Sequence, residues 1–269
     1  MLKLLLVPAL IMIAISPRGT WASPPVPVLV ELFTSEGCSD CPAADGVLEK
    51  FTSGQPIAGA EIIGLGEHVD YWDRLGWKDR FSSAALTHRQ QLYQARFRTD
   101  SIYTPQMVVD GTAQLVGSDE NAARRAIERA LASPRGVVRV RVDDVARGVQ
   151  PQDHGSEPRS LQVTVSVSDL PTESGDDRAD IVVAVTEDHL RSDVKRGENH
   201  GRVLTHAAVV RHMVTIGHAT IHGTSSARAE IPLSADWQRD RLRLVAFVQE
   251  QRGRAILAVT AVALEIDGR

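Results

Sequence analysis

The chain has 269 residues, 43% hydrophobic and 24% charged, with a formal net charge of −4. That balance belongs to a globular protein and excludes disorder throughout, a collagen-like chain or a long coiled coil. Aromatic residues make up only 4%, too few for stacking platforms on single-stranded nucleic acid, and the mild acidity leaves no footprint for DNA or RNA, so no nucleic-acid partner is expected.

Lys3 precedes an apolar run over residues 4–15, and Thr20-Trp21-Ala22 follows. A positive start, a short apolar core and a small-x-small ending are the parts of a secretory signal peptide, residues 1–22. The run is shorter than the roughly 20 residues a spanning helix needs. The product is therefore expected in the periplasm or outside the cell, and not integral to the membrane after cleavage. An uncleaved anchor is the alternative. Loss of Lys3 and Arg18 would take the net charge from −4 to −6.

A proline-rich entry at residues 24–27 leads into a buried strand over 28–33. After a loop, a helix reaching about Phe51 turns Val47, Leu48 and Phe51 inward. Residues 62–65 read as a second buried strand. Gly64-x-Gly66 resembles the start of a dinucleotide fingerprint, but Val69 stands where the third glycine belongs, so a strand-end turn is expected. Residues 68–80 form an aromatic, charged loop whose Tyr71, Trp72 and Trp77 serve either packing or binding. A helix over 83–97 follows. Tyr103-Thr104-Pro105 then leads into a strand over 106–109, and Asp110-Gly111 turns it into a partner over 113–116. Ser118 is the expected cap of a helix that Ser133-Pro134 stops.

Beyond Pro134 the pattern changes to alternation. Runs at 138–142, 161–167, 181–186, 203–211, 227–231, 241–249 and 256–264 read as strands, separated by Gly-, Ser- and Asp-rich stretches such as 153–159 and 172–177. Seven strands with few helical signals predict an antiparallel sandwich. The expected organisation is a first domain over 23–134 and a second over 135–269.

The two cysteines, Cys38 and Cys41, lie in Gly37-Cys38-Ser39-Asp40-Cys41-Pro42. In an exported protein a disulfide persists, but one closing so small a loop restrains little of the unfolded chain. Redox exchange or metal binding is the better reason for the pair. The thiolate is the attacking species, and amides at a helix start favour it. Cys38 is the expected attacker and Cys41 the resolver. Pro42 disfavours helix at Cys41, so the helix is expected to begin there and not at Cys38. Glu36 and Asp40 oppose a thiolate, and no Lys, Arg or His lies between Ser35 and Asp45. A thiol pKa nearer about 7 than about 3.5 follows, unless a distant base such as Arg74 or His68 folds over the site.

The order of elements over residues 26–132 resembles the thioredoxin fold, with its C-x-x-C at the first helix and a cis-proline facing it. Thr104-Pro105 stands at the matching place, and the resemblance implies that Thr104 and Pro105 bind an extended substrate. More narrowly, residues 30–42, Tyr71-Trp72-Asp73-x-Leu75-Gly76-Trp77, residues 103–111 and Arg196-Gly197-Glu198-Asn199-x-Gly201-Arg202 resemble a family of secreted bacterial thioredoxin-like proteins catalogued as a domain of unknown function. Gly37 departs from the tryptophan that precedes the first cysteine of thioredoxin, and Ser39-Asp40 from its Gly-Pro. The expected fold class is an α/β thioredoxin-like domain followed by an all-β antiparallel sandwich-like domain. The expected function is a cell-envelope thiol–disulfide oxidoreductase acting on protein or small-thiol substrates, with catalytic Cys38 and Cys41 and no cofactor.

Two readings compete. Cys38, Cys41, Pro42 and a distant His68 partly resemble a secreted copper-delivery protein, since soft thiolates select Cu(I). A structural zinc site needs four ligands and finds no second cysteine pair. His189, His200, His206, His212, His218 and His222 are read as solvated strand and loop residues. Alternatively the cysteines form an inert bridge in a noncatalytic binder, with residues 196–202 as its recognition loop or merely a polar turn.

Overall fold

A computed structural model of the chain describes residues 24–145, 159–171 and 178–264. The expected signal segment and the stretches 153–158 and 172–177 lie outside the described residues. The elements run β1 (Val26–Thr34), α1 (Cys41–Gly54), β2 (Ala60–His68), α2 (Ala84–Phe97), β3 (Gln106–Val109), β4 (Ala113–Val116) and α3 (Glu120–Ala130). Among the described residues, strands follow, with one short 3-10 turn at Arg239–Arg241 before β12: β5 (Val137–Val145), β6 (Arg159–Ser168), β7 (Arg178–Glu187), β8 (Leu190–Asp193), β9 (Val203–His206), β10 (Val209–Thr220), β11 (Ser225–Leu233), β12 (Leu242–Glu250) and β13 (Ile256–Ala263).

Helix starts obey local chemistry. Pro42 stands in the first turn of α1, which begins at Cys41. Ser83 caps α2 by accepting from the Ala85 amide. Asp119, one residue past the expected Ser118, caps α3 by accepting from the Ala122 amide at 2.9 Å. The Asp110-Gly111 turn joins β3 to β4 as expected, with both residues at positive φ. A Cβ on Gly111 would stand 1.8 Å from the Arg254 carbonyl oxygen, so glycine is needed there for space as well as conformation.

Eight strands form one mixed sheet in the order β13-β12-β7-β10-β2-β1-β3-β4. The expected α/β thioredoxin-like domain followed by an all-β sandwich is therefore overturned: the molecule is mostly β, and both halves of the chain supply strands to a single sheet. The cause lies in β2. Gly64 and Gly66, read from sequence as a strand-end turn, sit inside that strand. The Gly66 amide donates to the Ala208 carbonyl at 2.7 Å, and a Cβ on Gly66 would come within 2.9 Å of the Ala207 oxygen. A strand without side chains at these points admits the backbone of β10 beside it, and β10 runs parallel to β2 there.

Alternation along β1 distributes its side chains to two cores. Val28, Val30 and Leu32 pack with Leu48 and Phe51 of α1 and Ile127 of α3. Leu29 joins Ile63 and Leu65 of β2, Leu86 of α2, and Val182, Ala184 and Phe247 from the later strands. A second sheet, β11-β6-β5, lays Leu161, Val163, Val165 and Val167 over Ile181, Val183, Leu244 and Ala246. The expected strand 203–211 is broken at Ala207-Ala208, Ala208 having φ +51°. β9 leaves to pair with β8 as a separate hairpin.

Candidate active site

The loop from Ser35 to Asp40 joins β1 to α1 at the ends of the parallel strands β1 and β2. Cys38 and Cys41 are joined by a disulfide, their Cα atoms 5.4 Å apart, and the Cys41 amide donates to the Cys38 carbonyl at 3.3 Å. Cys38 is 2% exposed and Cys41 0%. The sequence reading made Cys38 the more accessible of the two; that difference is small because another part of the chain lies on the loop.

That part is the β8–β9 hairpin, whose tip spans residues 194–202. Asn199 is wholly buried, and its Nδ2 donates to the carbonyls of both Glu36 and Cys38 at 2.9 Å. Its Oδ1 accepts from Arg202 at 2.8 Å. Glu198 Oε2 accepts from the Ser39 amide at 3.1 Å. Gly197, at φ +77°, passes close to Trp77, where a Cβ would stand 3.1 Å from the Trp77 Cβ. Residues 196–202 are thus a polar turn between β8 and β9 that touches the cysteine loop through Asn199 and Glu198.

The aromatic loop closes the other sides. Trp77 Nε1 donates to Glu36 Oε2 at 2.6 Å. Trp72 Nε1 donates to Thr104 Oγ1 at 2.8 Å, while the Trp72 Cβ lies 3.0 Å from where a Cβ on Gly37 would be. Gly37 therefore makes room for Trp72. The Thr104–Pro105 bond is cis; Pro105 is buried and Thr104 half-buried. Thr104 reaches the cysteine loop through Trp72.

Beneath the loop lies a buried charged cluster. His206, on β9, has Nε2 3.4 Å from Glu36 Oε1 and Nδ1 3.4 Å from Asp45 Oδ2, with neither nitrogen aligned for a hydrogen bond. Burial works to lower its pKa, but Asp45 and Glu36 outweigh burial and push it up to about 9. Asp45 also accepts from Thr34 Oγ1 at 2.8 Å. The His68 ring stands 4.8 Å from that of His206, nearly perpendicular, and its Nδ1 is 2.6 Å from Asp79 Oδ2. Burial would raise the Asp79 pKa, yet His68 and the amides of Glu36 and Phe81 bring it down to about 2.

Of the two distant bases named from sequence, His68 lies beside the cluster and Arg74 is exposed. His206, which the sequence reading placed among the solvated histidines, stands within the cluster. His218 does face solvent, 3.0 Å from Asp180. Among the described residues no group of three or more His, Cys, Asp or Glu side chains is placed to hold a metal ion. Of the residues weighed for copper, the two sulfurs are bonded to each other in this oxidised state and His68 Nδ1 lies against Asp79. Sequence reasoning missed Asp45, Asn199 and His206. Asp45 was within reach, lying four residues after Cys41 on the same helix face. The other two arrive from some 160 residues away, and only the motif containing Asn199 hinted at them.

The fold and site together define a mostly β protein carrying a buried Cys-x-x-Cys disulfide over a charged cluster. The chain belongs to the family described as "Protein of unknown function (DUF1223)", which matches residues 29–249. Among solved structures it is similar to protein AGR_C_4864 from Agrobacterium tumefaciens, at 25% identity and a TM-score of 0.63, covering 92% of this chain and 99% of that one. It is also similar in fold to HBP35 of Porphyromonas gingivalis, at 15% identity and a TM-score of 0.61, covering 90% and 76%. No curated protein sequence matches the chain. No described helix is long and apolar enough to cross a membrane.

Proposed function

We propose that this protein is a thiol–disulfide oxidoreductase of the bacterial cell envelope, acting on protein or small-thiol substrates. The observation that carries the reading is the Cys38–Cys41 disulfide at the first residue of α1. A bridge closing so short a loop adds little stability, whereas helix-start amides favour the thiolate that exchange requires. In the reduced protein the Cys38 thiolate attacks a client disulfide and displaces one client sulfur as thiolate. The Cys41 thiolate then attacks Cys38, closing the intramolecular bond and releasing the second client sulfur. The client gains two electrons and the pair loses them. We assign the Cys41 proton to Asp45, one helical turn beyond on the same buried face. Thr104 and Pro105 are the substrate-binding residues of this reading.

Reduced Cys41→Ser protein, incubated with a cell-envelope extract, should accumulate mixed disulfides that dithiothreitol releases and that Cys38→Ser lacks. Absence of such adducts, together with failure of the reduced wild type to reduce either glutathione disulfide or a protein disulfide, would sink the reading. Intact-mass analysis of the periplasmic protein should find residues 1–22 removed.

A further inference from the structure

Cys38 and Cys41 are buried, and the tip of the β8–β9 hairpin lies on their loop. The hairpin tip, residues 194–202, meets that loop through polar contacts: Asn199 to the carbonyls of Glu36 and Cys38, and Glu198 to the amide of Ser39. Arg196, Gly197, Glu198 and His200 are exposed. Val194, at the base of the tip, is wholly buried and remains a fixed point. Gly197 and Gly201 stand on either side of Asn199 at φ +77° and +80°, where glycine changes conformation without the steric limits of other residues. Each hydrogen bond contributes only modestly to a closed state.

From this arrangement we propose that residues 195–202 form a displaceable cap over the disulfide, with Asn199 as its latch. The inference deepens the oxidoreductase reading by assigning regulation to the same site: entry of a thiol or client is set by opening of the cap. The two carbonyls that Asn199 occupies and the amide that Glu198 occupies are the backbone groups an incoming chain would meet once the cap lifts. Asn199 is a positioning residue here, since it touches the backbone around Cys38 and not the sulfur.

The test is the rate at which dithiothreitol reduces the oxidised protein. A dithiothreitol thiolate attacks Cys38, and Cys41 leaves as a thiolate. The second dithiothreitol sulfur then displaces Cys38, so the reagent becomes a cyclic disulfide and the pair gains two electrons. Asn199→Ala removes both latch bonds and should speed reduction about tenfold, as expected if closure is weakened by about 1.4 kcal/mol. Glu198→Ala removes one exposed contact and should give a smaller acceleration of about threefold. The thermal midpoint of each variant is measured alongside. If Asn199→Ala fails to fold, Glu198→Ala decides: a faster reduction supports the cap, and a rate within experimental error of the wild type overturns it. Unchanged rates in two folded variants likewise overturn it. The measurement needs neither client nor turnover. An absence of client exchange would defeat the oxidoreductase reading and leave the cap readable, while flat rates would remove the cap and leave exchange untouched.

Discussion

His206 is a base buried between two carboxylates, and its ionisation ties folding to pH. Its folded pKa, about 9, lies above the unfolded value of about 6.5. The stability it contributes is therefore fully present below pH 6.5 and is lost as pH rises through 9. With both contacts at 3.4 Å and unaligned, a contribution on the order of 2 kcal/mol is expected. Urea unfolding at a series of pH values should show that decline in the wild type. His206→Gln should be weaker at pH 6 and lack this component between pH 6.5 and 9. Glu67 behaves in the opposite charge sense. It is wholly buried, neither of its oxygens has a hydrogen-bond donor, and the nearby Arg89 is committed to Glu31 at 2.6 Å. Burial raises its pKa, Arg89 opposes the rise and Glu31 adds to it, leaving the group well above its ordinary value. Its stability contribution is present below the unfolded pKa and is lost as pH climbs through the folded one. Glu67→Gln keeps the neutral form and is expected to melt at or above the wild-type temperature at pH 7, with a larger gain at pH 9. Glu31→Gln leaves Arg89 without its main partner and should cost about 3–5 kcal/mol; thermal melts across pH compare the two.

Much was legible at the scale of single elements. The run at β1, the Pro42-limited start of α1 and the Asp110-Gly111 hairpin all depend on residues a few positions apart, and each was found where its local chemistry directed. The β2 glycines were misread because a glycine pair that ends a strand and one that admits a neighbouring backbone have the same local pattern. Gly66→Ala tests the second meaning. Its Cβ would press on the Ala207 oxygen from 2.9 Å, and since the obstacle is backbone, the strands must move apart. A loss of about 1–3 kcal/mol is expected, read as a lower urea midpoint. The same alanine on an exposed helical glycine with nothing nearby, Gly46, should be neutral to stabilising. The run 203–211 was likewise continuous in pattern, but its two pieces pair with different strands, β9 with β8 and β10 with β7. Pairing decides where a strand divides, and periodicity does not report it.

Across the whole molecule, one apolar core joins the halves of the chain: Leu29, Ile63, Leu65 and Leu86 share it with Val182, Ala184, Val245 and Phe247. Arg89 reaches Gln249 at 3.0 Å, and the Ile256 amide donates to the Asp110 carbonyl at 2.9 Å. Residues 23–134 expressed alone would expose that core face and the open edge of β2, an invitation to association. The fragment is expected to elute as aggregates in size-exclusion chromatography, and co-expression with residues 135–269 should return a soluble complex. A monodisperse, cooperatively unfolding fragment would contradict this. By itself the sequence determined the alternation of the strands, the helix starts and the cysteine spacing that brings two sulfurs together, because each is settled by neighbours within a turn or a strand. Only the tertiary structure decided that the halves share one sheet, that His206 stands between Glu36 and Asp45, and that Asn199 donates to the carbonyls of Glu36 and Cys38. The physical reason is distance along the chain. Asn199 is bonded to residues 161 and 163 positions away, and such partners are chosen by how whole elements pack, which no local pattern encodes.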